Sequence, residues 1–217
     1  MKTDSELKKD VLNELQWDPV VPEARVGVAV RDGVVTLSGH LDSYAEKYAV
    51  KRAVDRVSGV KAIAIELTVI PLGPHQLSYT VVAAAVEHAL SWSSTIPEDR
   101  VKVVVEKGWV TASGELDWNY ERQALERLVR PLKGVVGFTD NVHLKKKPVA
   151  MNLSGRIQEA LTRQAMREAR RIEIHVDDAV VTLRGRVHSW AERRAAEGVT
   201  WSAPGVDRVN NELIVGP

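Results

Sequence analysis

Ser38–Gly59, SGHLDSYAEKYAVKRAVDRVSG, decides the fold, because its frame returns as SGELDWNYERQALERLVRPLKG at Ser113–Gly134 and as RGRVHSWAERRAAEGVTWSAPG at Arg184–Gly205. Each copy opens on a glycine (Gly39, Gly114, Gly185) and carries a glutamate seven residues later (Glu46, Glu121, Glu192). An alanine follows (Ala49, Ala124, Ala195), and a second glycine closes the stretch (Gly59, Gly134, Gly205). A fixed period of this kind marks one supersecondary unit copied along the chain. Ala45, Ala49, Ala53 and Val57 recur as Tyr120, Ala124, Leu128 and Leu132, then as Ala191, Ala195, Val199 and Ala203. That four-residue step is one face of a helix, so these positions, Tyr120 among them, are expected on the core side.

Ser43 with Glu46, and Ser189 with Glu192, have the spacing of capping boxes, in which serine and glutamate satisfy the free N–H groups of a helix start. Capping accounts for the glutamates without catalysis. The second copy has Trp118 at the serine position, leaving Asp117 to cap.

Upstream of each such stretch lies another helical face: Leu7, Val11 and Leu15, then Val82, Val86 and Leu90, then Leu153, Ile157 and Leu161. Thr3, Asp4 or Ser5 can cap the first of these helices, and Pro19 ends it. Trp17, Trp92 and Arg163 follow the helix at matching positions and read as surface residues. Alternating runs come next, Val26-Val28-Val30, Val101-Val103-Val105 and Ile172-Ile174-Val176, each leading to a two-residue turn at Asp32-Gly33, Lys107-Gly108 or Asp178-Ala179. These are hairpins. A third strand follows the closing glycine, through Ile63, Ile65, Leu67 and Val69 in the first copy.

The fold class expected is therefore α/β (α+β). Three tandem αββαβ units each have a mixed or antiparallel three-stranded sheet covered on one face by two helices. The units are bounded at 1–72, 75–147 and 150–217 and joined by the proline-marked segments Pro71-Leu72-Gly73-Pro74 and Lys145-Lys146-Lys147-Pro148. Val34, Trp109 and Val180 point to the uncovered sheet face, and Trp109 is expected to be buried at a contact between repeats. Units of this size have marginal cores, so the copies are expected to lean on one another.

A formal charge of +1 gives no global attraction to nucleic acid or to acidic membranes, so electrostatic work must be local. With no cysteine there is neither a disulfide framework nor a thiol nucleophile. No stretch approaches a membrane span, and MKTDSELKKDVLNELQ has no apolar core of a leader. As written the chain is expected in the cytoplasm, and in the periplasm if a leader has been removed.

The αββαβ order, the strand ending Val35-Thr36-Leu37-Ser38-Gly39 before an alanine-rich helix, and the glycine before the last strand resemble BON domains. These are modules of osmotically inducible periplasmic proteins and related envelope proteins. Val110-Thr111-Ala112-Ser113-Gly114 and Val181-Thr182-Leu183-Arg184-Gly185 are close matches, and Val209-Asn210-Asn211 matches the family's usual last strand. Ala64-Ile65-Glu66 and Thr139-Asp140-Asn141 depart from that ending. The resemblance implies a bacterial, non-enzymatic module for phospholipid or protein binding, with no cofactor.

Peripheral lipid contact needs aromatic anchors beside cations. Trp118, Tyr120, Arg122 and Arg130 in the second copy, and Trp190, Arg193 and Arg194 in the third, offer them. The contact is expected to centre on Trp118 and Arg122, helped by Trp190, Arg193 and Arg194. For Trp118 and Trp190, packing between repeats stands as the alternative to surface anchoring. Arg163, Arg167, Arg170 and Arg171 form a further basic cluster, and Lys145 to Lys147 a basic linker. The partner is thus an anionic phospholipid surface or, alternatively, a protein for which three packed repeats form a scaffold.

Nucleic acid is not expected. Gly134-Val135-Val136-Gly137 spells the G-x-x-G of KH domains but leads into a strand, whereas the KH loop joins two helices. An enzyme is not expected either: His40, His75, His88, His143, His175 and His188 show no metal-ligand spacing, and no phosphate-cradling loop is present. The reading assigns no catalytic residue and no metal site.

Overall fold

Leu7, Val11 and Leu15 lie on one face of α1 (Asp4–Trp17) and are buried, which fixes the side of the helix that meets the sheet. Burying side chains of this kind contributes about 1.5–3 kcal/mol each. Thr3 and Glu6 cap the helix reciprocally: the Glu6 N–H donates to Thr3 Oγ1 (3.3 Å) and the Thr3 N–H donates to Glu6 Oε2 (2.8 Å). The same first turn holds the hairpin, because the Asp4 carboxylate accepts from the N–H groups of Asp32 (2.8 Å) and Gly33 (3.0 Å). Asp32 and Gly33 both have positive φ, 53° and 81°, the geometry of a two-residue turn that follows strand twist. The computed structural model describes residues 2–71, 77–97, 99–145, 152–163 and 172–216.

That turn joins β1 (Val26–Arg31) to β2 (Val34–Leu41) in antiparallel register, Val30 opposite Val35. β3 (Ala62–Val69) pairs with β2 in parallel, which demands a crossover, and α2 (Tyr44–Arg56) is that crossover. The sheet order is β1-β2-β3, with α1 on β1 and α2 on the β2–β3 side. The second unit repeats it as α3 (Tyr79–Ser91), β4 (Val101–Glu106), β5 (Trp109–Leu116), α4 (Asn119–Val129) and β6 (Gly137–Leu144). The third comprises α5 (Leu153–Arg163), β7 (Glu173–Asp177), β8 (Val180–Val187), α6 (Trp190–Trp201) and β9 (Arg208–Val215). Each sheet is separate, mixed and three-stranded, its second strand in the middle. The opening glycine is needed for space as well as rotation. At Gly39 (φ 134°) and Gly114 (φ 144°) a Cβ would collide with the carbonyl oxygens of Arg25 and Arg100.

Two expectations are corrected. The buried stripe of the second helix runs one residue round from the alanine stripe: Val50, Leu125 and Ala196 are fully buried at equivalent positions. Ala49 and Ala124 remain buried at its margin, but Ala195 is exposed and Tyr120 is 55% exposed. The larger chains at the Val50 and Val54 positions set the face, and small residues beside them need not be inside.

Trp109 is not buried between repeats. Its indole lies over Gly137 of its own sheet, where any Cβ would strike the ring, and its Nε1–H donates to Thr139 Oγ1 (2.8 Å). The ring is 45% exposed on the uncovered face, so a cross-strand shelf, and not a neighbouring unit, satisfies it.

Candidate binding groove between the second helices

Of the five residues expected to bind lipid, four are engaged in holding the protein together. Position 47 of the first copy, equivalent to 122 and 193, ties the second helix to the last strand in every unit. Lys47 Nζ donates to Leu67 O (2.9 Å), Arg122 pairs with Asp140, and Arg193 donates to Leu213 O (3.1 Å) and to Asn211 O. Trp190 packs against the hydrophobic core of the first unit, and its Nε1–H donates to Val60 O (3.1 Å). The Arg193 guanidinium stands 5.4 Å from the Trp190 ring. Arg194 pairs with Asp55, a first-unit carboxylate only 2% exposed that also accepts from Lys51 (2.9 Å).

Trp118 also has a partner within the protein, is 41% exposed and stands at the N-cap of α4. Asp117 does not cap; it pairs with Arg100 (2.8 Å), and Glu121 alone closes the helix start, accepting from the N–H groups of Asp117 (2.9 Å) and Trp118 (3.0 Å). Half of the capping box therefore survives, and Glu121 is buried in that role.

The contacts between units follow one rule. Positions 44, 48, 51 and 55 of α2 form a stripe at helical spacing beside the core stripe, and their equivalents are Asn119, Gln123, Glu126 and Arg130 in α4 and Trp190, Arg194, Glu197 and Trp201 in α6. The front half of one stripe meets the back half of the next. Tyr44 lies beside Glu126, and the Arg130 guanidinium lies 3.2 Å from the centre of the Tyr48 ring. Trp190 and Arg194 likewise meet Val60 and Asp55. Burial, with the Glu126 charge adding to it, pushes the Tyr44 hydroxyl up to about 12. A head-to-tail contact repeated by rotation closes into a ring, so the third junction brings Asn119 and Gln123 of α4 toward Trp201 of α6.

That junction is a groove. About 350 Å³ of space lies between α4 and α6, walled by Trp118, Tyr120 and Gln123 on one side and by Ala195, Gly198 and Trp201 on the other. Among the described residues, the Asn119 and Gln123 side chains make no hydrogen bond. The groove opens into a central cleft of about 740 Å³, with which it shares Asn119, Gln123, Ala195, Gly198 and Trp201. Arg122, Arg127, Arg130 and Arg194 line the cleft, against the carboxylates of Glu126, Asp140 and Glu197. Three of these guanidiniums have carboxylate partners: Arg122 with Asp140, Arg130 with Glu126 and Arg194 with Asp55. Arg127 has no ion pair among the described residues, and its Nε–H reaches only Gln123 O at 3.4 Å.

The arrangement therefore presents exposed aromatic rings at one end and guanidiniums at the other. Reading the sequence missed Arg127, Trp201, Tyr44 and Tyr48. The signal was available for Tyr44, Tyr48 and Trp201, whose positions share a helix face across the three copies but not a chemistry, whereas Arg127 repeats the arginine of Arg52. Gly134 to Gly137 proves to be the loop from α4 into β6, with Val135 buried and Gly137 beneath Trp109. Arg163 pairs with Glu159 (3.7 Å), whereas His75, Lys146, Lys147, Arg167, Arg170, Arg171 and most of both linkers lie outside the described residues. Among the described residues no group of three or more His, Asp or Glu could hold a metal ion, and no helix is long and apolar enough to cross a membrane.

Compared with known proteins, the chain matches the BON domain three times, over residues 3–71, 79–146 and 151–217. It is similar to osmotically-inducible protein Y of Escherichia coli (strain K12), at 24% identity over 142 residues that cover 62% of this chain and 71% of that one. Among solved structures it is similar to CdsD, a structural protein of the type III secretion system of Chlamydia trachomatis. There the identity is 15% and the TM-score 0.26, with 97% of this chain and 92% of that chain covered, a score that falls short of a shared overall arrangement.

Proposed function

Because the chain belongs to the BON domain family, whose module fills it in three copies, we propose that it is a non-enzymatic peripheral binding module for anionic phospholipid surfaces. The observation that carries this reading is the pair of exposed rings, Trp118 and Tyr120, on a groove that joins the cleft lined by Arg127, which has no ion pair among the described residues. Aromatic rings settle at the headgroup level, and each nearby Arg adds about 1 kcal/mol toward an acidic bilayer, screened by salt. The name of the Escherichia coli relative supports a role in osmotic or envelope stress. Contact centres on Trp118 and Arg127. Arg122, which was expected to lead, contributes from within its pair with Asp140, Arg193 acts by tying α6 to its own last strand, and Trp190 and Arg194 act by holding the units in place.

Co-sedimentation with phosphatidylglycerol vesicles at low salt is expected, and none with phosphatidylcholine vesicles. Trp118→Ser should abolish binding without lowering the melting temperature. A wild-type protein that ignores anionic vesicles at low salt would remove this reading. A protein partner is the second reading, favoured by one observation: Trp190 and Arg194 build the units into a scaffold.

A further inference from the structure

Gly198 is hard to account for by packing. It sits inside α6, where glycine is unfavourable because it has the most backbone freedom to lose. Glycines in such places normally admit a close neighbour, yet a Cβ built at Gly198 meets nothing within 4 Å. The equivalent positions in the other copies are Arg52 and Arg127, so the fold itself does not require glycine there. What a side chain at 198 would enter is the groove between α4 and α6, with Ala195 one turn away on the same wall. Ala195 is alanine in every copy (Ala49, Ala124), so the difference lies at Gly198 and at Asn119 and Gln123, which stand where α6 carries the junction-closing Trp190 and Arg194.

We propose that this open junction is a stoichiometric site for one molecule of an anionic phospholipid, its chains among Trp118, Tyr120 and Trp201 and its phosphodiester toward Arg127. This rests on the membrane-surface reading above and sharpens it, from adhesion to a surface into uptake of a single lipid between the second and third units. Three observations on the groove agree. Its volume, about 350 Å³, and that of the cleft it joins fall within the roughly 300–1,000 Å³ of small-molecule sites. The aromatic and guanidinium ends are continuous, which suits an amphiphile better than an ion or an oil. Arg127, which has no ion pair among the described residues, is the guanidinium of the cleft wall that a phosphodiester can take.

The probe is dihexanoyl phosphatidylglycerol below its micelle concentration, titrated into the full chain with tryptophan fluorescence and native mass spectrometry. One lipid should bind per chain, and Gly198→Leu, which fills the groove, should weaken binding at least ten-fold while keeping the circular dichroism spectrum. Arg127→Gln should weaken it less and flatten its salt dependence. Glycerophosphoglycerol, the phosphodiester headgroup without chains, should not compete at equal concentration. Vesicle binding without monomer binding, or monomer binding that Gly198→Leu leaves unchanged, would overturn the single-lipid site and leave surface adhesion standing. Loss of both vesicle and monomer binding would overturn both readings. Dimers of the chain that Gly198→Leu abolishes would make the groove a self-interface and also overturn the site.

Discussion

The junction of α6 with α2 and the junction of α4 with α6 use the same helix positions and end up with opposite character. In the first, Trp190 reaches the core of the first unit and Arg194 meets the nearly buried Asp55, so apolar burial and a charge pair act together. In the second, the equivalents of Trp190 and Arg194 are Asn119 and Gln123, and across from them stand Ala195, Gly198 and Trp201 around an open groove. Backbone geometry is shared; side-chain size is not. A repeat can therefore keep its fold in every copy and use the variable helix face for cohesion in one place while leaving it to line an open groove in another.

The largest effect expected is at the closed junction. Trp190→Ala removes an aromatic ring from the first-unit core together with its hydrogen bond to Val60, and should lower stability by about 3 kcal/mol in urea denaturation. No change there would mean that the first and third units do not depend on each other. Next, Ala196→Leu should cost about 1–3 kcal/mol by overpacking a fully buried position, while the neighbouring Ala195→Leu leaves the melting temperature unchanged. The reverse order would return the core face to the alanine stripe.

Smaller effects belong to the open junction and to the Tyr44 contact. Trp118→Ser restores the serine cap of the other copies and should stabilise by about 0.5–1 kcal/mol; a fall in melting temperature would make Trp118 a seam residue. Tyr44 has its hydroxyl raised to about 12 in the folded protein, so the folded state holds its proton longer than the unfolded chain does. Stability from this group is intact below about pH 10, the ordinary tyrosine value, and is lost as pH rises toward 12. Tyr44→Phe should remove that part of the slope in alkaline denaturation, and an identical slope would mean that the Tyr44 hydroxyl is not buried at this junction.

Much of the fold was legible because periodicity reports it directly. Leu7-Val11-Leu15, the Asp32-Gly33 turn and the Ser43 and Ser189 caps each have a local cause that one sequence displays. The sites of Trp109 and Trp190 were not legible, since both are large apolar residues on an exposed-looking position. Only the tertiary neighbour, Gly137 for one and Val60 for the other, distinguishes a shelf from a seam. Arg122 and Arg193, each near an aromatic residue in sequence, read as headgroup contacts, but the fold engages them with Asp140 and with a strand carbonyl, partners that only the tertiary structure displays.

The central claim is that the first and third units touch through residues far apart in sequence, closing two sides of a ring and leaving the third open. A double-mutant cycle between Asp55→Asn and Arg194→Met tests it most directly, with unfolding free energies of the wild type, both single variants and the double variant. The account predicts a coupling of about 1 kcal/mol or more between these partners, as expected for contacting charges with one member buried. Additive effects, with a coupling near zero, would contradict it and leave three units strung along the chain.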